Sequence, residues 1–272
     1  MILNRIKKIF NFIFFKTINL LKCYGINLGL TKKALTNTFR FIDEYLSYKK
    51  QLKTSSNVSR NSFKPRKRDI TPYLFDYDTE AGSLGSYFHQ DLWAARKIYE
   101  YRPNKHYDFG SRIDGFIAHL LVFMDVSVVD IREINSTVKG LNFIKSDATN
   151  LDSFSESSIE SISSLHAVEH FGLGRYGDPI NPDGCFEFMQ NLQDILSVGG
   201  KLIFSVPVGK EAIIFNAQRI FSPKTIIESF NKLSLVSYSA ITRNKELIEN
   251  TKHKKYLEDN HVVGLFVFTK EQ

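Results

Sequence analysis

HYDFGSRIDGFIAHLLVFMDVSVVDI, residues 106–131, is the stretch that decides the fold. It opens with a short run, His106 to Phe109, that reads as a strand entering a turn at Gly110. Ile113 to Phe123 reads as a helix. Val126 to Ile131 is β-branched and apolar, a buried strand ending in an acid, Asp130. Strand, glycine turn, helix and strand in close succession make a βαβ unit, which implies parallel pairing.

The pattern extends in both directions. Upstream, Tyr87 to Arg102 places Leu92, Ala95, Ile98 and Tyr99 at helical spacing, and Pro103 ends it. Downstream, LNFIKSDA (141–148), SIESISSLHA (158–167) and KLIFSVPVG (201–209) read as strands. Asp183 to Val198 reads as a helix that Gly199-Gly200 closes. Ser222-Pro223 is an N-cap with an N1 proline, opening a helix to about Lys232. LSLVSYSAIT (233–242) and HVVGLFVFT (261–269) lack a helix between them and are expected to pair antiparallel at one edge. The expected fold is α/β, a doubly wound Rossmann-like sheet.

Composition agrees. The 272 residues are 43% hydrophobic and 24% charged, which excludes full-length disorder, collagen and a polytopic membrane protein. Two cysteines, Cys23 and Cys185, make neither a disulfide framework nor a metal set, so a reducing compartment is expected. Charge is uneven: residues 1–70 hold 16 Lys/Arg against 3 Asp/Glu, and the remainder 20 against 26. The sequence therefore divides into a basic, apolar helical extension (1–50), a polar linker (51–70) and a main domain (71–272).

Residues 2–21 are rich in Ile, Phe and Leu, but Arg5, Lys7, Lys8 and Lys16 interrupt them, and no cleavage site follows. Two readings stand: a helix lying on an anionic membrane surface, or a helix packing its apolar side on the main domain. A cytoplasmic protein, peripheral at the inner membrane face under the first reading, is expected. The run KPRKR (64–68) has no accompanying nucleic-acid-binding motif, so a solvated linker is preferred.

In a doubly wound sheet the ligand sits beyond the carboxyl ends of the strands. There the sequence places Asp108-Phe109-Gly110-Ser111-Arg112, then Asp130, then Asp147-Ala148, then His166-Ala167-Val168-Glu169-His170. Asp130 lies twenty residues beyond Gly110, the spacing at which an acid reaches ribose hydroxyls. Asp147 is placed to accept from an adenine amino group. Arg112 stands where a dinucleotide loop needs its second glycine, which counts against NAD. Phe116-Ile117 replaces the Lys-Ser/Thr of a phosphate loop, which counts against ATP. S-adenosylmethionine has no phosphate and suits a less glycine-rich turn. Its amino-acid end could use Ser111, loop N–H groups and Arg112.

The order Asp-x-Gly, acid, Asp-Ala, His-x-x-Glu-His and Gly-Gly-Lys-Leu resembles class I S-adenosylmethionine-dependent methyltransferases. YFHQDLWAARKIYE, DFGSRIDGFIAHL, SLHAVEHFGLGRYGDPINPDG, FSVPVG and FNAQRIFS resemble, more narrowly, a methyltransferase-like family of unknown function. That family was first catalogued from nematode proteins and also occurs in bacterial surface-polysaccharide gene sets. The similarity spans about residues 75–235 and implies a seven-stranded sheet with an antiparallel edge strand. It also implies that Asp108, Gly110 and Ser111 hold the methionine part, Asp130 the ribose and Asp147 the adenine.

Methyl transfer to a sugar hydroxyl benefits from a general base, and histidine suits neutral pH. His170, His166 and His89 are the candidates, with Glu169 orienting a histidine or standing at the sulfonium end. His166 also reads as a wall of the cofactor pocket. Arg175, Tyr176 and Asp178, in a glycine-rich loop at the ligand edge, and Asn216 and Arg219 beyond the fifth strand are candidate acceptor contacts. His-x-x-Glu-His also matches an inverted zinc-protease pattern, which needs a helix; here it follows a strand and runs into Phe171-Gly172, so no metal is expected. The resulting expectation is a methyltransferase acting on a small-molecule or glycan acceptor. The alternatives are a non-catalytic cofactor-binding scaffold and, ranked lower, a nucleic-acid methyltransferase.

Overall fold

The computed structural model describes residues 16–54, 65–77, 81–82, 84–259 and 262–272. The chain divides into two compact units, Met1–Gly82 and Ser83–Gln272.

The first unit is built on α1 (Leu28–Thr54), preceded by a helical stretch over 16–23. Asn27 caps α1: its Oδ1 accepts from the N–H of Gly29 at 3.1 Å and of Leu30 at 3.2 Å. Asn37 Nδ2 donates to the Leu74 carbonyl at 2.7 Å, Lys33 Nζ to the Phe75 carbonyl at 3.0 Å, and the Tyr77 hydroxyl to Glu44 Oε2 at 2.7 Å. These bonds move two expected boundaries. The helix runs past residue 50 to Thr54, and the sheet-bearing unit begins at Ser83, because residues 74–77 are tied to α1. Residues 1–15 of the extension and 55–64 of the linker lie outside the described residues. Among the described residues no helix is long and apolar enough to cross a membrane.

The second unit is a mixed sheet of β1 (His106–Phe109), β2 (Val126–Asp130), β3 (Leu141–Lys145), β4 (Ile159–Leu165), β5 (Leu196–Val208), β8 (Ser234–Ile241), β9 (Leu247–Ile248) and β10 (Val262–Thr269). Their order is β3-β2-β1-β4-β5-β10-β8-β9. The five strands from β3 to β5 pair in parallel. The order reverses between β1 and β4, the switch point where a Rossmann-like sheet opens a crevice. The two late strands pair antiparallel as expected, with β10 inserted between β5 and β8 and the two-residue β9 added as an eighth strand.

Period-two alternation fills both faces of the sheet. Ile203, Leu265 and Val267 point to one side, with Trp93, Ala94 and Ile98 of α2 (Ser86–Tyr101) and Phe116, Ile117 and Leu120 of the helical segment 113–120. Phe204, Phe266 and Phe268 point to the other, with Phe188 and Met189 of α3 (Gly184–Ile195) and Ile226 of α4 (Pro223–Ser229). Ser222 Oγ accepts from the Lys224 N–H at 3.3 Å, the cap read from the sequence.

One expected element is different. The helix from Asp183 stops at Ile195, and Gly199-Gly200 does not cap it. Strand β5 already begins at Leu196, Gly199 takes φ +78°, and the register with β4 slips between Ile159 and Ser161. The glycine pair forms a bulge in a strand. A hairpin of β6 (Ala212–Ile214) and β7 (Gln218–Ile220) follows β5.

Candidate active site

A pocket of about 660 Å³ opens beyond the carboxyl ends of β1 to β4, within the usual range for a small-molecule site. It brings together Gly110, Ser111, Arg112, Asp130, Asp147, Ala148, His166, His170, Arg175, Tyr176 and Asp178. Five sequence-selected residues are not in its lining: Asp108, Glu169, His89, Asn216 and Arg219.

Asp108 is fully buried beneath the floor. Its Oδ2 accepts from the Ser111 N–H at 3.0 Å, and its Oδ1 from the hydroxyls of Ser111 at 2.5 Å and Ser163 at 2.6 Å. With both oxygens engaged, Asp108 holds the first loop and does not itself face the pocket. The Leu165 N–H closes the set on Ser111 Oγ at 2.9 Å. Gly110 must be glycine: its φ is +74°, and a Cβ there would lie 3.0 Å from the Ala167 Cβ.

Behind Asp108 lies His106, held by Ser161 Oγ at Nδ1 (2.8 Å) and Ser163 Oγ at Nε2 (2.9 Å). Because Ser163 gives its proton to Asp108, His106 Nε2 is the donor to Ser163 and Nδ1 accepts from Ser161. Burial pushes Asp108 up to about 6 and His106 down to about 3. The raised acid favours the folded state below its ordinary value of 3.8, and that stability is lost as pH rises through about 6. The depressed histidine favours the folded state above its ordinary 6.5, and that stability is lost as pH falls toward about 3. Between about pH 4 and 6 the two slopes oppose each other. Relative to wild type, Asp108→Asn is expected to gain about 1.4 kcal/mol of stability per pH unit as pH rises across that window, and His106→Gln to lose about as much. Urea unfolding at pH 4.5 and 5.5 measures both, and slopes of the same sign would contradict the arrangement.

The segment after β4 is a single 3₁₀ turn, Val168–His170, not a helix. Among the described residues no cluster of three His, Cys, Asp or Glu is arranged to hold a metal. His166 takes a left-handed backbone, φ +51°, which aims its ring across the turn. Its Nδ1 lies 2.6 Å from Glu169 Oε1. Glu169 is buried, and its Oε2 has no hydrogen-bond partner among the described residues. With Glu169 ionised, Nδ1 carries the proton and donates it, which leaves the lone pair on Nε2 of a ring that lines the pocket. Tyr87 packs on that ring at 5.2 Å. His170 is held differently: its Nδ1 meets the Ala217 carbonyl at 2.7 Å, its Nε2 lies 3.8 Å from the same Glu169 Oε1, and burial holds its pKa below the ordinary value. His89 is half-buried, edge-on to Phe88 at 5.6 Å.

The glycine-rich loop is stapled internally. Asp178 Oδ2 accepts from the N–H groups of Gly172 (2.8 Å) and Gly174 (3.3 Å), and Oδ1 from that of Tyr176 (3.2 Å). Asp178 therefore shapes the loop. A Cβ on Gly172, at φ +74°, would stand 1.7 Å from the Asn181 carbonyl oxygen. Arg219 donates to the carbonyls of Phe171 (2.6 Å) and Pro182 (3.2 Å), so it ties the hairpin to this loop and has no part in the lining. Asn216 sits exposed between β6 and β7, where its side chain does not reach the pocket.

Asp130 ends β2 with its carboxylate clasped by Arg132. Oδ1 accepts from the Arg132 N–H at 2.8 Å and Nε at 3.0 Å, and Oδ2 from Nη2 at 2.7 Å. Arg112 is paired with Asp114 at 2.7 Å. Asp147 Oδ1 accepts from the N–H and hydroxyl of Thr149, at 2.9 and 2.7 Å, and its Oδ2 has no partner among the described residues. Sequence reading did not select Arg132, Tyr87, Thr149 or Gln218, all of which line the pocket. Arg132 carried a local signal, a cation two residues beyond a strand-end acid.

No curated protein matches the chain. Among solved structures it is similar to the Burkholderia thailandensis 1,6-didemethyltoxoflavin-N1-methyltransferase with bound 1,6-didemethyltoxoflavin and S-adenosylhomocysteine. The identity is 15%, covering 68% of this chain and 80% of that one, with a TM-score of 0.48. It is similar also to the N-methyltransferase NodS from Bradyrhizobium japonicum in complex with S-adenosylhomocysteine, at 11% identity over 73% and 92% of the two chains, TM-score 0.48. Residues 120–270 match the family described as Caenorhabditis protein of unknown function, DUF268, and the chain belongs to that family.

Proposed function

We propose that the pocket binds S-adenosylmethionine and that the domain methylates a hydroxyl of a sugar or glycan precursor used in surface-polysaccharide synthesis. The observation that carries this reading is the His166–Glu169 pair, with the His166 ring in the lining of the pocket beyond the strand ends. The residues fit the cofactor. Asp130 offers a carboxylate to a ribose diol, and Asp147 Oδ2 can accept from an adenine amino group. When bound, S-adenosylmethionine supplies a methyl group activated by its sulfonium.

An amine acceptor can present a lone pair in its neutral form, whereas a sugar hydroxyl must lose a proton as its oxygen is methylated. His166 Nε2 accepts that proton while the new O–C bond forms and the C–S bond breaks, its electron pair going to sulfur. Glu169 holds the ring and stabilises the imidazolium that results. Tyr87, packed on the His166 ring, and Tyr176 line the site. The glycan and polysaccharide setting is supported by the family resemblance of the quoted phrases, among them that of residues 164–184. A cytoplasmic, membrane-peripheral location is supported by the positive charge of residues 1–70.

The test is transfer of label from methyl-labelled S-adenosylmethionine to a panel of sugars and nucleotide sugars. A base-stable labelled ether and stoichiometric S-adenosylhomocysteine are expected. Cofactor binding without turnover on any acceptor would support a non-catalytic scaffold, and label on an amine would overturn the oxygen assignment.

A further inference from the structure

Arg132 holds the acid that the proposed cofactor needs. A ribose diol binding two-pronged to Asp130 requires lone pairs on both oxygens, yet Oδ1 already accepts two bonds and Oδ2 one from Arg132. The backbone N–H of Arg132 can stay on Oδ1, but Nε must give up the second lone pair of that oxygen; this breaks the two-pronged grip and leaves the guanidinium on the single Nη2 bond to Oδ2, from which it can turn away. The guanidinium then has a place to remain: its Cζ lies 4.5 Å from the ring centroid of Tyr176. Arg175 is also near that ring at 5.1 Å, with one nitrogen on the Ala217 carbonyl at 2.8 Å. Neighbouring acids are already engaged. Glu133 pairs with Lys145 at 3.5 Å, Asp114 with Arg112, and Asp178 accepts from three backbone N–H groups.

We propose that Arg132 is a relay: nucleoside binding at Asp130 releases its guanidinium, which with Arg175 and Tyr176 forms a subsite for a phosphate or diphosphate group on the acceptor. This rests on the cofactor reading above and adds the acceptor's charge and the order of binding. A planar guanidinium matches a phosphate with two parallel hydrogen bonds. The anion is therefore expected to bind well only after the nucleoside.

The test is calorimetric titration of the full chain with pyrophosphate, alone and saturated with S-adenosylhomocysteine. Wild type is expected to bind pyrophosphate at least about tenfold more tightly in the presence of S-adenosylhomocysteine, and pyrophosphate to tighten S-adenosylhomocysteine by the same factor. Arg132→Met and Arg132→Lys should bind S-adenosylhomocysteine as well as wild type or better, with the enhancement lost in Met and reduced in Lys. Unlinked binding, competition between the two ligands, or full enhancement in Arg132→Met would each overturn the relay while leaving the cofactor site intact. Failure of S-adenosylhomocysteine to bind at all would overturn the cofactor reading and the relay together. Inorganic phosphate and a sugar phosphate, run in parallel, separate recognition of the anion from recognition of the sugar that bears it.

Discussion

His166→Gln is expected to lower the methyl-transfer rate by roughly 10²- to 10⁴-fold, the range typical of a lost general base, while S-adenosylhomocysteine still binds. Glutamine approximates the reach of the ring but accepts no proton at neutral pH. Glu169→Gln keeps an oxygen for Nδ1 and removes the charge that stabilises the imidazolium, so a smaller loss, about 10- to 100-fold, is expected. His166→Gly separates chemistry from packing. Added imidazole should restore part of its activity if the missing function is proton acceptance, and none if the ring only fills space. Single-turnover kinetics at saturating cofactor checks all three variants. Wild-type rates in His166→Gln would remove this histidine from the chemistry.

Phe266→Ala is expected to destabilise the sheet-bearing unit by about 3–5 kcal/mol. Phe266 is fully buried in β10, the strand inserted between β5 and β8. Its ring lies 4.9 Å from Tyr238, 5.8 Å from Phe268 and 6.5 Å from Phe204. Truncation leaves a cavity among rings borne by three different strands, which cannot all move inward together. Urea unfolding followed by the fluorescence of Trp93, buried on the opposite face, reads the change. A loss below about 1 kcal/mol would show that β10 is not central to the core.

The parallel half of the fold was legible because each strand carries its own signal, an apolar run ending in an acid or a glycine. The position of β10 was not, since pairing order depends on contacts distant in sequence. Gly199-Gly200 misled for a local reason: a left-handed glycine closes a helix and bulges a strand equally well, and only the register with β4 decides between them.

The site divided in the same way. Residues placed by strand ends, such as Asp130, Asp147 and His166, fall in the pocket. His89, selected as a base, and Asn216 and Arg219, selected for following the fifth strand, lie outside it: His89 is on α2, and the chain after β5 forms the β6–β7 hairpin, where Arg219 ties backbone together. Asp108 lies within β1, one residue before its end, and is buried, since Ser111 and Ser163 turn its carboxylate inward. The preference for His166 over His170 rests on which nitrogen faces Glu169: Nδ1 of His166 at 2.6 Å leaves Nε2 open, whereas in His170 it is Nε2 that faces the carboxylate, at 3.8 Å, and Nδ1 is on the Ala217 carbonyl; spacing alone does not distinguish the two.

The most direct test of the central claim is titration of the purified chain with S-adenosylmethionine and S-adenosylhomocysteine, with NAD and ATP alongside. Binding of the first two, weakened at least about tenfold in Asp130→Ala and absent for NAD and ATP, is the predicted result. Binding of NAD or ATP in their place, or an affinity indifferent to Asp130, would contradict it.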